Sequence, residues 1–126
     1  MATLDDKRLW ISSSEPLVEG AYLRINVSYA GNPTSVIVFR HKGECLAYRN
    51  QCVHMPRELD DGNNKIFDET GQYLRCSMHG IVYDPQTGES ISALCNGEQL
   101  TPVKIMEDEE GIWIKDKRVK ALILAE

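Results

Sequence analysis

Two short clusters hold the side chains best suited to chemistry: Cys52-Val53-His54 and Cys76-Ser77-Met78-His79, with twenty-one residues between them. Thiolate and imidazole donors together suit zinc, copper or iron–sulfur. A Cys beside a His is also an activated nucleophile, but a catalytic pair would leave the second pair without a task. Structural zinc sites with two Cys and two His usually pair like with like along the chain. Here each half offers one of each, as C-x-H and C-x-x-H. A two-iron cluster with unequal irons, one bound by two thiolates and the other by two imidazoles, fits that pattern. Only Cys45, Cys95 and His41 remain as further Cys or His residues.

The elements around the clusters read as strands. Tyr22 to Val27 alternates partially with period two, and Val36-Ile37-Val38-Phe39 is a β-branched run typical of a buried strand. Gly31-Asn32-Pro33 marks a turn between them. His41 to Glu44 turns into Cys45 to Arg49, a hairpin that delivers the chain to Cys52. Ile66-Phe67-Asp68 and Gln72 to Arg75 flank Glu69-Thr70-Gly71 as a small hairpin running into Cys76. Ile81-Val82-Tyr83 is a short strand closed by the turn Asp84 to Gly88. Val103 to Met106 and Ile112 to Lys115 form a last hairpin around the acidic stretch Glu107 to Gly111. Asp116 to Glu126 is the one segment that reads as helical. Short strands with frequent turn signals predict an all-β, antiparallel sandwich or small barrel, folded as a single domain over residues 1–126.

Composition narrows the function classes. The chain has 126 residues, 42% hydrophobic and 26% charged, which suits one soluble domain with a real core. A net charge of −5 argues against nucleic acid as partner. The N-terminus lacks an apolar segment of signal type, and no apolar run approaches a membrane span. The expected compartment is the cytoplasm, where Cys and His clusters mean metal or catalysis before disulfides.

The two boxes, C-x-H and C-x-x-H-G over Cys52–His54 and Cys76–Gly80, resemble those of the Rieske 2Fe–2S proteins. The resemblance runs from about Ala47 to Pro102 and includes Leu59, Tyr83 and Asp84. It implies a cluster-binding part inserted in the β fold over about residues 47–102. It also implies one 2Fe–2S cluster ligated by Cys52, His54, Cys76 and His79. Two ferric ions, two sulfides and two thiolates sum to zero, so reduction is easier than with four thiolates. The expected potential lies within about −150 to +300 mV rather than near −400 mV. The outer ring nitrogens of His54 and His79 need solvent or a partner, which makes them the natural electron exit.

Departures from the family pattern adjust that expectation. High-potential members carry an extra Cys in each box that forms a disulfide; Arg57 and Met78 stand there. They also carry a Ser after the second-box Gly80 that bonds a sulfide; Ile81 replaces it, which lowers the potential. Tyr83 sits where some members place a hydroxyl against a ligand sulfur, unless it is plain core. Cys95 falls in the family's third loop, as a cluster shield or a packed thiol. Cys45 is expected to fill core, His41 to lie at the surface, and Trp10 and Trp113 to pack in the core or at the domain edge. The acids from Glu107 to Glu110 read as a solvated turn, with a docking patch as the alternative.

With His54 and His79 used, His41 alone cannot build the two-His-one-carboxylate iron site of an oxygenase. The expectation is an electron carrier and not an enzyme. It would take electrons from a reductase, flavin-dependent by resemblance, and pass them to a terminal oxygenase or another redox enzyme. The alternatives are a Rieske-type small subunit of a larger reductase such as nitrite reductase, a structural zinc protein with a binding role, and a redox sensor.

Overall fold

A computed structural model describes residues 9–15, 17–51, 58–60, 66–76, 81–91 and 98–123. Nine strands make three antiparallel sheets, and no helix occurs among the described residues. They are β1 (Leu9–Ser12), β2 (Tyr22–Tyr29), β3 (Asn32–His41), β4 (Glu44–Arg49), β5 (Leu74–Arg75), β6 (Val82–Tyr83), β7 (Ile105–Asp108), β8 (Gly111–Ile114) and β9 (Val119–Ile123). The four-stranded sheet has the order β4-β3-β2-β9, the three-stranded sheet β1-β8-β7, and β5 pairs with β6.

The β-branched run in β3 is explained by its position. Val36, Ile37, Val38 and Phe39 are all fully buried. The strand's period of two sends Val36 and Val38 to one core and Ile37 and Phe39 to another. A strand covered on both faces loses the polar half of the usual alternation. The first face, joined by Val27 and Ala47 of the same sheet, packs on Ile112 and Ile114 of the three-stranded sheet. The second packs on the small sheet through Leu59, Leu74, Ile81 and Tyr83. Each such side chain contributes about 1.5–3 kcal/mol on burial, so β3 is the wall between the sandwich and the part that bears the ligand boxes.

Two-residue turns set the register on both sides of β3. Tyr29 faces Asn32 across Ala30-Gly31, and His41 faces Glu44 across Lys42-Gly43. All four turn residues have positive φ, from 51° to 88°, as a twisted hairpin of this length requires. The first turn is thus one residue earlier than Gly31-Asn32-Pro33. Asn32 and Pro33 already belong to β3, where Pro33 lies beyond the reach of β4 and gives up no ladder bond there.

Two sequence expectations are corrected. The C-terminal segment is not helical: Asp116 closes a turn, its carboxylate accepting from the Arg118 amide (2.9 Å), and β9 then pairs with β2. The open edge of a long strand outweighs weak local helix preference. His41 is not at the surface. It is 5% exposed, and its Nδ1 lies 2.8 Å from Gln86 Nε2. The trailing position of a strand next to a tight turn is buried here because the turn Asp84 to Gly88 packs over it.

Trp10 and Trp113 form a cross-strand pair at the sheet edge, with Trp10 donating to the Glu110 carbonyl (2.9 Å). Cys45 is half-buried against the sandwich core, and burial pushes its thiol up to about 11. Glu107 is not part of a free acidic turn; Arg40 holds it with two bonds of 3.0 and 2.6 Å.

Candidate metal centre

Cys76 is the one proposed ligand among the described residues. It follows β5 directly, is completely buried, and shares a core with Leu74, Ile81 and Tyr83. Its amide donates to the Ile81 carbonyl (2.9 Å), so Cys76 and Ile81 stand side by side at the two ends of the loop 77–80. The pairing of Leu74 with Tyr83 and Arg75 with Val82 fixes both ends of that loop. Cys52, His54, His79, Gly80 and Cys95 lie outside the described residues, as do Arg57 and Met78. No cluster of three or more metal-binding side chains occurs among the described residues alone.

The chain on either side of the first box is described, and it is held by a polar network that sequence reasoning missed. Asn50, just before the box, is buried and works in three directions. Its side-chain oxygen accepts from the Leu59 amide (2.8 Å), and its Nδ2 donates to Ser35 Oγ (3.1 Å) and to Asp60 Oδ1 (2.9 Å). Its own amide donates to the Ser35 carbonyl (2.8 Å). One asparagine therefore ties the entry of the loop to its exit and both to β3.

Asp60 is the charged centre of this network. Its carboxylate accepts from Tyr22 (2.8 Å), Arg24 (3.1 Å) and Asn50, and Arg24 also binds Glu58 (2.8 Å). A buried carboxylate is tolerated only with such partners. Burial and then the bond to Asp60 push the Tyr22 hydroxyl up to about 12, so it stays a donor at neutral pH. The only sequence signals for this network were a polar Asn next to the first box and an Asp shortly after it.

The third loop is closed in the same way. The Ser90 amide donates to Glu98 (2.7 Å), and the Ile91 amide to Val82 in β6 (2.9 Å). Below the boxes, Tyr48 donates to the Pro85 carbonyl (2.8 Å) and stacks near Phe39, with ring centroids 6.0 Å apart. Burial pushes the Tyr48 hydroxyl up to about 12. Three segments outside the described residues, 52–57, 77–80 and 92–97, thus have pinned residues on both sides. Two of them carry the Cys and His boxes.

The donor chemistry fits an iron–sulfur centre. Cys76 is a buried thiol in an apolar surround, and the sequence beyond it supplies His79, so that thiolate and imidazole donors stand close together along the chain. The described fold is all-β, with three antiparallel sheets, and the sequence carries the two Cys/His boxes between its strands. A family model for the Rieske [2Fe-2S] domain matches residues 7–107. The chain belongs to that family, and its cofactor is one 2Fe–2S cluster.

Solved structures share the fold. The ferredoxin of carbazole 1,9a-dioxygenase from Nocardioides aromaticivorans IC177 is 22% identical. The match covers 88% of this chain and 99% of that one, at a TM-score of 0.69. A chain of the complex of reduced oxygenase and oxidized ferredoxin in carbazole 1,9a-dioxygenase is 21% identical. There the match covers 91% and 99%, at a TM-score of 0.70. A chain of the reduced complex between oxygenase and ferredoxin of the same system is 17% identical, with 87% of this chain covered at 0.69. This chain spans only 28% of that longer one, so it corresponds to a part of it. No curated protein matches.

Proposed function

We propose that the protein is a Rieske-type ferredoxin, a one-electron carrier between a reductase and a terminal oxygenase or similar redox enzyme. The observation that carries this reading is the membership of residues 7–107 in the Rieske [2Fe-2S] family, with both boxes intact in the sequence. The fold shared with the ferredoxin of carbazole 1,9a-dioxygenase supports the carrier reading.

Cys52 and Cys76 would bind one iron, and His54 and His79 the other, within a single domain whose cluster-binding part spans about residues 47–102. The cluster supplies a site that accepts and releases one electron. The chain supplies everything else. Asn50, Asp60 and the β5–β6 pair hold the loop ends rigid, so that little reorganisation accompanies the change of charge. Ile81 and Leu59, buried on the flanks of the two box segments, would keep water from the cluster. Gly80, Ile81, Tyr83 and Cys95 would complete the surround of the cluster. Tyr83 is fully buried in the same core as Cys76, which suits a hydroxyl directed at a ligand sulfur. The cytoplasm is the expected compartment; no helix is long and apolar enough to cross a membrane among the described residues.

Replacing His54 or His79 by Ala tests the ligand assignment. Each removes a direct ligand, so the visible spectrum and the iron content of the native cluster should be lost. A variant that keeps the native spectrum would refute it.

A further inference from the structure

The molecule is acidic, yet one of its clefts is not. A cleft of about 1050 Å³ lies between the last hairpin and β9. Among the described residues, Lys104, Lys115, Lys117, Arg118 and Lys120 line it, with Asp116 as the carboxylate. All five cations are exposed, and Asp116 is buried beneath them, bonded to Arg118 at 2.8 and 2.6 Å. The floor is apolar, with Ile105 and Val119. In a chain of net charge −5 this is a local reversal of sign. The β7–β8 hairpin is polarised accordingly, with Asp108, Glu109 and Glu110 at its turn and Lys104 and Lys115 at its open end.

The cationic strip does not end at the cleft. Arg118 lies over the ring of Tyr29, 5.0 Å from its centroid, and Arg49 lies over the same ring at 4.9 Å. Arg49 also binds Gln51, the last described residue before the first box (3.0 Å). Stacking on one aromatic ring holds two guanidinium groups in a row that runs from the cleft to the edge of the ligand loop. Fixed cations beside a redox site steer and orient a partner of opposite sign.

We propose that this strip, from Lys120 through Arg118 and Tyr29 to Arg49, is a docking surface for an acidic face of a protein partner. It rests on the electron-carrier reading for its purpose, but not for its binding chemistry. Charge complementarity selects the partner: the strip repels basic surfaces, while the rest of this acidic protein repels acidic ones. An acidic partner is therefore guided to the side of the molecule next to the first ligand loop.

The test is an NMR titration of the isotope-labelled holoprotein with an octaglutamate peptide at low salt. The expected shifts map to Lys104, Lys115 to Lys120, Tyr29 and Arg49. The double variant Lys117→Glu/Lys120→Glu should weaken binding by about 10-fold or more, and Lys42→Glu, on a distant turn, by less than about 2-fold. Raising the salt to about 0.3 M should remove most of the binding. Equal losses from Lys42→Glu, shifts scattered over all lysines, or no binding at low salt would overturn the proposal. Self-association of the protein at low salt, abolished by the same double variant, would give the strip to a second copy and overturn it as well. A failure of the carrier reading would show separately, as a wild-type protein without the absorption of a 2Fe–2S cluster.

Discussion

At the scale of the residue, Asn50 decides how firmly the first ligand loop is anchored. Its amide group satisfies the Leu59 N–H and helps hold the Asp60 carboxylate, both buried. Asn50→Ala would leave the buried Leu59 N–H unpaired and take one of three donors from Asp60, which keeps Tyr22 and Arg24; a buried unsatisfied group costs about 1–3 kcal/mol. The expected outcome is a lower melting temperature together with faster loss of visible absorption on heating, because the loop and not only the core is loosened. Unchanged cluster lifetime in Asn50→Ala would show that the network serves stability alone.

At the scale of the element, the turn Asp84 to Gly88 locks the cluster-binding part to the sandwich. Gly88 has φ +78°, and a Cβ there would stand 2.7 Å from the Tyr48 ring. Gly88→Ala therefore combines backbone strain with a displaced ring, for a loss of about 1–3 kcal/mol measurable by chemical unfolding. The same turn shows what the sequence revealed and what it hid. Its Asp-Pro and Gly signals were legible, as were the two boxes, the buried run of β3 and the hairpins on either side, because each rests on local pattern. The burial of His41 under Gln86 was not legible, since it depends on a turn forty-five residues away. Nor was β9, whose strand state comes from the edge of β2 and not from its own composition. The Asn50–Asp60–Tyr22 network joins three distant segments and leaves no periodic trace.

At the scale of the whole molecule, ion pairs across the sandwich set its acid tolerance. Arg40 of β3 binds Glu107 of β7 and so ties the two sheets together. The Arg40 guanidinium holds the Glu107 carboxyl at about 2, below its usual 4.5. A lowered carboxyl stabilises the fold above its unfolded value and loses that contribution as pH falls toward the folded one. Stability should therefore decline from about pH 4.5 toward about pH 2. Asp116 under Arg118, also lowered, should extend the decline from its usual 3.8 downward. Glu107→Gln should remove on the order of 1 kcal/mol at neutral pH, once solvent screening is allowed for, and flatten the acid limb. An unaltered acid limb in unfolding measurements would mean that other carboxylates control it.

The central claim is a cluster with two thiolate and two imidazole ligands, and its midpoint potential tests that claim most directly. A redox titration of the anaerobically purified protein, followed by visible absorption, should show one single-electron wave. The ligand set predicts a midpoint between about −150 and +300 mV, toward the lower end because Ile81 stands in place of a sulfide-bonding Ser. A wave near about −400 mV would mean four-thiolate ligation, and a colourless, redox-silent protein would mean zinc. Either result would contradict the account.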